Sequence, residues 1–187
     1  MNGVLTPTPT HRKRWTREDC AFLERSGLLT GKWELLDGEI VVKMPQNYPH
    51  ANAVSFLLAY CLSLVGPARV RTQATMEIHE ADQSLNRPEP DVVILREPVR
   101  RIPLASDVLL VAEVSDSTQA DDFGHKAMLY ARAGIPEYWV LDVARELLVI
   151  FRQPEDREYT QRIEHHVSDS ATPLFTDQAV LVSTLLP

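Results

Sequence analysis

The sequence predicts an α/β fold of three layers, with a mixed β-sheet between helices on both sides. Two runs, 90–95 and 108–115, consist mainly of Val, Leu, Ile and Ala, as strands do when both faces of a sheet are covered. Segments 50–65 and 119–133 carry apolar residues on one helical face. The 187 residues are enough for one domain with a substantial core.

The first half of the chain alternates between helix and strand signals. Thr16 is a typical N-cap followed by acidic residues, and Gly27 is a typical helix stop. The pair Asp37-Gly38 favours a tight hairpin turn. The predicted elements of this half are, in order, a helix to about Ser26, paired strands over 32–36 and 39–43, a helix over 50–65, and strands over 69–72 and 75–79.

The second half contains more strands than helices. A polar turn over 80–87 precedes the two apolar runs, and Gly134 is expected to end the helix that follows them. We expect the C-terminal tail to pack on the body through its leucines. The predicted elements are, in order, strands over 90–95 and 108–115, a helix over 119–133, a strand over 136–142, a hairpin of 146–152 with 159–165, and a tail contact through Leu181, Leu185 and Leu186.

Composition places the chain among ordinary globular proteins. Residues 1–14 are polar and rich in Pro and Thr, so we expect a flexible segment there and a single domain over 15–187. No apolar run of about 18 residues predicts a membrane span. Cys20 and Cys61 lack the spacing of a metal site, which favours a reduced, cytoplasmic setting.

The net charge of −7 argues mildly against a nucleic-acid partner, because most such proteins carry a basic face. Two small groups of arginines could still attract phosphate, or could simply be solvated surface. They are Arg69 with Arg71, and Arg96 with Arg100 and Arg101.

Two acids stand within the apolar runs. Asp91 opens the first run and Glu113 interrupts the second, where a carboxylate is costly unless a cation or strong donors compensate it. Together they would seat a hard divalent metal, and Lys126 on the next helix could add positive charge. This set predicts a metal-dependent phosphodiesterase.

Each of these residues also has a structural explanation. Asp91 follows a proline, where Asp commonly starts a turn. Glu113 could form a buried salt bridge with an arginine. Lys126 could pair on the surface with Asp122, four residues earlier on the helix.

Taken together, several short motifs resemble the Uma-type family of proposed restriction endonucleases, a former domain of unknown function within the PD-(D/E)XK nuclease superfamily. The match extends over about 16–165. Its pieces are Glu34-Leu35-Leu36-Asp37-Gly38-Glu39, His50, Pro88-Glu89-Pro90-Asp91-Val92-Val93, Glu113-Val114-Ser115, Asp122 with Lys126 and Tyr130, and Gly134-Ile135-Pro136-Glu137-Tyr138-Trp139.

The resemblance implies a restriction-endonuclease-like fold around a mixed sheet flanked by helices. It also implies a metal, Mg²⁺ or Mn²⁺, bound by Asp91, Glu113 and the backbone carbonyl of Val114. The chain departs from the superfamily at Ser115, where the signature has a lysine. The resemblance implies that Lys126 supplies this group from the following helix.

On this basis we expect an endonuclease that hydrolyses phosphodiester bonds, with DNA as the substrate. Asp91 and Glu113 would hold the metal, and Lys126 would position water or offset charge on the phosphorane. Glu34, just before the hairpin turn, is expected either to reach the metal, directly or through water, or to be a solvated residue of an edge strand.

Three further residues are candidates for lining the substrate site. His50 either caps the second helix or faces the site and contacts phosphate, and we favour a structural or peripheral role. Gln73 lies on a strand ahead of the first acid. Tyr130 is favoured as a core residue but is kept as a candidate.

A different class of function is also open. The chain could be a nuclease-fold protein without turnover that serves as a binding or assembly module, which the acidic charge and Ser115 favour. Hydrolysis of another phosphate ester is a weaker alternative. Duplex cleavage usually requires two active sites, so the resemblance suggests a homodimer that binds nucleic acid and no membrane.

Overall fold

The computed structural model describes residues 13–43, 45–78, 80–116 and 121–187. The strands in these ranges are β1 (Trp33–Leu36), β2 (Glu39–Val42), β3 (Val70–Thr72), β4 (Val92–Leu95), β5 (Val108–Ser115), β6 (Glu137–Asp142), β7 (Leu147–Glu155), β8 (Glu158–His166), β9 (Ser170–Ala171) and β10 (Val180–Leu181). The helices are α1 (Arg17–Arg25), α2 (Tyr48–Val65) and α3 (Ala127–Arg132), the last continuing a π-helical turn over Asp121–Lys126.

The centre of the protein is a six-stranded sheet in the order β3-β4-β5-β6-β7-β8. The β5–β6 pair is parallel, and the other neighbouring pairs are antiparallel. Ala112 in β5 pairs with Val92 on one side and Trp139 on the other. Strands β4 and β6 are buried along their whole length, as expected for strands covered on both faces.

Helices cover both faces of this sheet. Val54, Leu57 and Cys61 of α2 pack on one face, in a core that includes residues of β4 to β7. The other face packs against α3 through Ala127 and Tyr130. The predicted three-layer α/β fold with a mixed sheet is therefore confirmed.

Helix α2 has 18 residues and, by length and composition alone, is apolar enough to cross a membrane, although the sequence pattern predicted no such segment. Its face of Ala53, Val54, Leu57 and Cys61 is buried in the core. The central helix of a globular domain passes the same compositional test.

The hairpin of β1 and β2 forms as predicted, with antiparallel pairing from Trp33 with Val42 to Leu36 with Glu39. Asp37 and Gly38 form the turn with φ of 47° and 83°, the left-handed conformations that a tight hairpin turn requires. The turn also contacts the chain ahead of α1, since Arg14 Nε donates to Asp37 O at 2.9 Å. The rest of the predicted flexible segment, residues 1–12, lies outside the described residues.

The predicted strand over 75–79 does not form. The amides of Met76 and Glu77 donate to the carbonyls of Pro88 and Pro103. Pro88 has no N–H to donate back to Met76, and the described residues of this segment form only one isolated bridge, Glu77 with Leu104. Residue 79 lies outside the described residues, as does the start of the helix predicted over 119–133.

The C-terminal tail packs on the body through two of the three leucines expected. Leu185 is buried and Leu186 is partly buried against the core, as predicted. Leu181 is 43% exposed, and its neighbours Val180 and Val182 point inward instead. The short β9–β10 pair causes this, because residues of a strand alternate between its two faces.

Candidate active site

The pairing of β4 with β5 brings the two predicted acids together. Asp91 directly precedes β4, and Val92 pairs with Ala112, so Asp91 lies beside Glu113. The Asp91 amide approaches Glu113 Oε2 at 3.4 Å, and the Val114 amide donates to Asp91 Oδ2 at 3.0 Å. Both residues are at most 4% exposed. The structure thus places two buried carboxylates side by side, one directly before β4 and one in β5.

Lys126 points into this site and not to solvent. Its Nζ lies 3.0 Å from Glu113 Oε1, 3.2 Å from Glu34 Oε2 and 3.3 Å from Asp122 Oδ1. The residue is 6% exposed. The pair with Asp122 does form, but it is buried, so the interpretation of Lys126 as half of a surface pair is wrong. The π-helical turn that ends at Lys126 is a local widening of the kind often found at functional sites.

Glu34 of β1 is buried, which excludes a solvated position on an edge strand. Its Oε1 accepts a hydrogen bond from the Glu89 amide at 2.6 Å. Its Oε2 faces Lys126 and, at 3.5 Å, Lys43. The hairpin therefore delivers a third carboxylate to the same cluster.

The cluster carries more negative than positive charge. The carboxylates of Glu34, Asp91, Glu113 and Asp122 gather around Lys126, with Lys43 at the edge. Burial, together with the nearby carboxylates, raises the pKa of Glu113 to about 8 although Lys126 opposes the shift. Burial alone would lower the pKa of Lys126, but the surrounding carboxylates raise it well above its usual value. A divalent cation would relieve this excess of negative charge.

A cleft of about 580 Å³ opens onto the cluster. Its walls come from the β1–β2 hairpin, the start of α2 and the end of β5. Val114, whose carbonyl the family resemblance implies as a metal ligand, lines this cleft together with Asp91, Glu113 and Lys126. The role of that carbonyl stays a prediction.

His50 lines the cleft and does not cap α2 with its side chain. Asn47 is the N-cap, and its side chain accepts a hydrogen bond from the His50 amide at 3.0 Å. His50 Nε2 lies 3.8 Å from Asp91 Oδ2. The interpretation of His50 as the helix cap is therefore wrong, and whether His50 contacts a phosphate stays a prediction.

The other two lining candidates differ in position. Gln73 lines the cleft with φ of 46°, and its side chain accepts a hydrogen bond from Lys32 at 2.8 Å. Tyr130 is fully buried and lies behind Glu113, to whose Oε1 it donates at 3.1 Å. Tyr130 can orient Glu113, but this placement keeps it from contacting a substrate.

The sequence interpretation missed several residues of the cleft walls, among them Lys32, Lys43, Asn47 and Asp116. Asn47 had a usable signal, because Asn followed by Pro within two residues is typical of a helix N-terminus. The Asn47 side chain also hydrogen-bonds to that of Asp116. The other three have no local signal, since only the tertiary fold brings their loops together.

Arginines of both predicted patches form hydrogen bonds or ion pairs within the protein. Arg69 donates to the carbonyl of Leu95, and Arg71 donates to the carbonyl of Val99. Arg101 forms a bidentate pair with Asp107. These guanidinium groups brace loops around β3 and β4.

The donors of the site fit a hard divalent cation. In the described part of the chain, no three His, Cys, Asp or Glu side chains already stand in metal-binding geometry. However, Asp91 and Glu113 offer carboxylate oxygens to one cleft, and Asp91 Oδ1 accepts no hydrogen bond from the described residues. Carboxylate oxygens suit Mg²⁺ or Mn²⁺, whereas the cluster has no thiolate for a softer metal.

A family model, Uma2, described as "Putative restriction endonuclease", matches residues 26–181, which is most of the chain. The chain belongs to the Uma2 family. This result confirms the resemblance stated from the sequence motifs. No curated protein matches the chain.

The Uma2 fold has a counterpart among solved structures. The chain is similar to the crystal structure of a putative nuclease belonging to DUF820 from Anabaena variabilis ATCC 29413. The TM-score is 0.66 at 15% sequence identity, with 87% of this chain and 96% of that chain covered. At this identity the likeness shows the fold alone, and it confirms the predicted nuclease-like architecture.

The raised pKa of Glu113 predicts how the stability of the metal-free protein depends on pH. The folded state holds a proton that the unfolded state, with the ordinary pKa of 4.5, has already lost. Stability from this group is therefore greatest below about pH 4.5 and falls as pH rises towards 8. We expect the unfolding free energy to fall less over this pH range in Glu113→Gln than in the wild type. The difference should be roughly 1 kcal/mol or more, which corresponds to about 2–4 °C in Tm.

Thermal unfolding in EDTA between pH 5 and 9 measures this effect. Glu164→Gln, at an exposed position of β8, is the matched control and should keep the wild-type profile. A profile for Glu113→Gln as steep as that of the wild type would contradict the prediction.

Proposed function

We propose that this Uma2 protein hydrolyses phosphodiester bonds in DNA with Mg²⁺ or Mn²⁺. The observation that carries the proposal is the buried Glu113 carboxylate, held between Asp91 on one strand and Lys126 on a helix, at the base of an open cleft. Membership of a family described as "Putative restriction endonuclease" supports phosphodiester bonds as the target.

In this proposal Asp91, Glu113 and the Val114 carbonyl would hold the cation. When bound, the cation would polarise a phosphoryl oxygen and lower the pKa of a coordinated water. Tyr130 and Lys126 both bind Glu113 Oε1, which fixes the rotamer of this carboxylate and keeps Oε2 towards Asp91. Fixed ligands reduce the reorganisation needed when substrate arrives.

Lys126 has the role of the lysine that the superfamily carries at position 115. Its ammonium group is oriented by Glu34, Glu113 and Asp122 and lines the cleft. From there it would position the attacking water or offset charge on the phosphoryl oxygens. Glu34 would act on the reaction mainly by orienting Lys126, and its contact with the metal, direct or through water, stays a prediction.

One observation favours the alternative of an inactive binding or assembly module. Lys126 is already surrounded by three carboxylates, so in this state little of its charge is available to a phosphate. A cation bound by Asp91 and Glu113 would compete with Lys126 for the Glu113 carboxylate. More of the Lys126 charge would then be available to a phosphate. In the binding-module alternative, divalent cations would stabilise the protein without any cleavage. The homodimer and the cytoplasmic location predicted from the sequence also stay proposals.

The decisive experiment is cleavage of mixed DNA substrates, single-stranded, duplex and supercoiled, with Mg²⁺ or Mn²⁺ and with EDTA. We expect metal-dependent cutting by the wild type and a loss of at least about 100-fold in Glu113→Gln, because the variant lacks a metal ligand. Glu164→Gln is the control and should cut like the wild type.

Equal activity of Glu113→Gln and the wild type would reject this active site. Metal-dependent stabilisation of the wild type without cleavage of any of these substrates would favour the binding module. Cleavage of a chromogenic phosphate diester without cleavage of DNA would favour another phosphate ester as substrate.

A further inference from the structure

The His50 side chain has an unexplained nitrogen in the cleft. His50 Nε2 is buried and has no hydrogen-bond partner among the described residues. A buried polar atom without a partner costs about 1–3 kcal/mol, so native structures rarely keep one without a reason. Because His50 lines the cleft next to Asp91, a ligand bound in the cleft is the simplest partner.

The distance between His50 and Asp91 suits two ligands of one ion. His50 Nε2 lies 3.8 Å from Asp91 Oδ2, too far for a hydrogen bond, and that oxygen already accepts from the Val114 amide. Ligand atoms about 2.1 Å from an octahedral ion are about 3.0 Å apart when adjacent and about 4.2 Å apart when opposite. The observed separation falls between these values, so small side-chain rotations would bring both atoms onto one cation.

The backbone of His50 is firmly held. Asn47 accepts a hydrogen bond from the His50 amide, and the Asn47 side chain also binds Asp116 beyond the end of β5. His50 therefore sits in the first turn of the 18-residue helix α2, which is tied to the strand that carries Glu113. A rigid mounting of this kind is what a ligand needs to hold its geometry.

We propose that His50, through its imidazole Nε2, is a further ligand of the cation held by Asp91 and Glu113, and that the site consequently selects Mn²⁺ over Mg²⁺. The proposal rests on the metal site of the proposed function. Imidazole suits transition metals, whereas Mg²⁺ prefers carboxylate and water oxygens. One nitrogen added to two carboxylates therefore shifts the preference without excluding either ion.

The test is electron spin-echo envelope modulation spectroscopy of the 187-residue chain, stripped of metal and loaded with Mn²⁺ alone. We expect nitrogen modulation from a coordinated imidazole in the wild type and in His166→Gln, the control at an exposed histidine of β8, but none in His50→Gln. Isothermal titration should show a tenfold or greater loss of Mn²⁺ affinity in His50→Gln and a much smaller change for Mg²⁺.

Labelling the wild type with ¹⁵N-histidine shows, without any variant, that the coordinated nitrogen belongs to a histidine, because the modulation must change to the ¹⁵N pattern. Persistence of the signal in His50→Gln would overturn the proposal. So would Mn²⁺ binding by the wild type without any nitrogen modulation, and in that case Glu113-dependent cleavage would leave the proposed function standing. If the wild type neither binds a divalent cation nor cleaves, both proposals fall.

Discussion

Lys126→Met is expected to destabilise the metal-free protein by about 3–5 kcal/mol at pH 8 and to abolish cleavage. The variant removes the ammonium group that contacts Glu34, Glu113 and Asp122 and leaves these buried carboxylates uncompensated. Removal of one partner from a buried charge cluster is costly in this range because the remaining charges stay desolvated. Urea denaturation in EDTA measures the loss, and the DNA assay measures cleavage.

The loss of stability should depend on pH and on metal. At pH 5 the cost should be smaller, since Glu113 already holds a proton there and the cluster carries less charge. Mn²⁺ at pH 8 should restore part of the stability, because it replaces the missing positive charge. The control is Lys13→Met, which breaks an exposed pair with Asp19 and should change stability by less than about 0.5 kcal/mol. Lys126→Met as stable as the wild type at pH 8 would show that the cluster does not need its lysine.

Arg152→Met is expected to cost a similar amount, about 3–5 kcal/mol, without involving the cleft. Arg152 donates to the fully buried Glu137 through Nε and a terminal nitrogen, at 2.9 and 2.6 Å, and also to the Thr172 carbonyl. Glu137 in turn accepts from the Trp139 indole and the Leu174 amide, so it anchors the tail to the sheet. Without Arg152 this carboxylate would stay buried with only neutral donors.

A double-mutant cycle separates the ion pair from side-chain packing. Glu137→Gln combined with Arg152→Met should be less unstable than the sum of the two single variants, because the double variant contains no uncompensated charge. Metal-dependent cleavage by the folded fraction should be unchanged. Strict additivity of the two losses would mean that the pair contributes through packing alone.

Most elements of the fold were predictable because their signals are local. The Thr16 cap, the Asp37-Gly38 turn and the apolar spacing of α2 act within a few residues, and each element formed close to its predicted bounds. The strand predicted over 75–79 failed because its hydrogen-bond partners belong to distant, proline-containing loops. Strand pairing depends on the partner, so alternation in one segment is not sufficient to predict a strand.

The site was only partly predictable from the sequence. Asp91 and Glu113 were evident because a carboxylate in an apolar run is conspicuous, and Lys126 followed from the family resemblance. The surface-pair interpretation of Lys126 failed because spacing along a helix does not show which side of the helix is buried. The interpretation of His50 as a cap failed for a related reason: Asn47 three residues earlier is the N-cap, and the His50 side chain lines the cleft.

By itself, the sequence determined the order of most helices and strands, the two acids of the central apolar runs and the membership of a nuclease-like family. These depend on local propensity, on periodicity and on motifs that follow one another along the chain. The tertiary structure alone decided that Glu34 and Asp122 converge on Lys126, that Tyr130 lies behind Glu113 and that His50 faces Asp91. Such contacts join residues up to about a hundred positions apart, and only the packing of helices on both faces of the sheet fixes their distances and their burial.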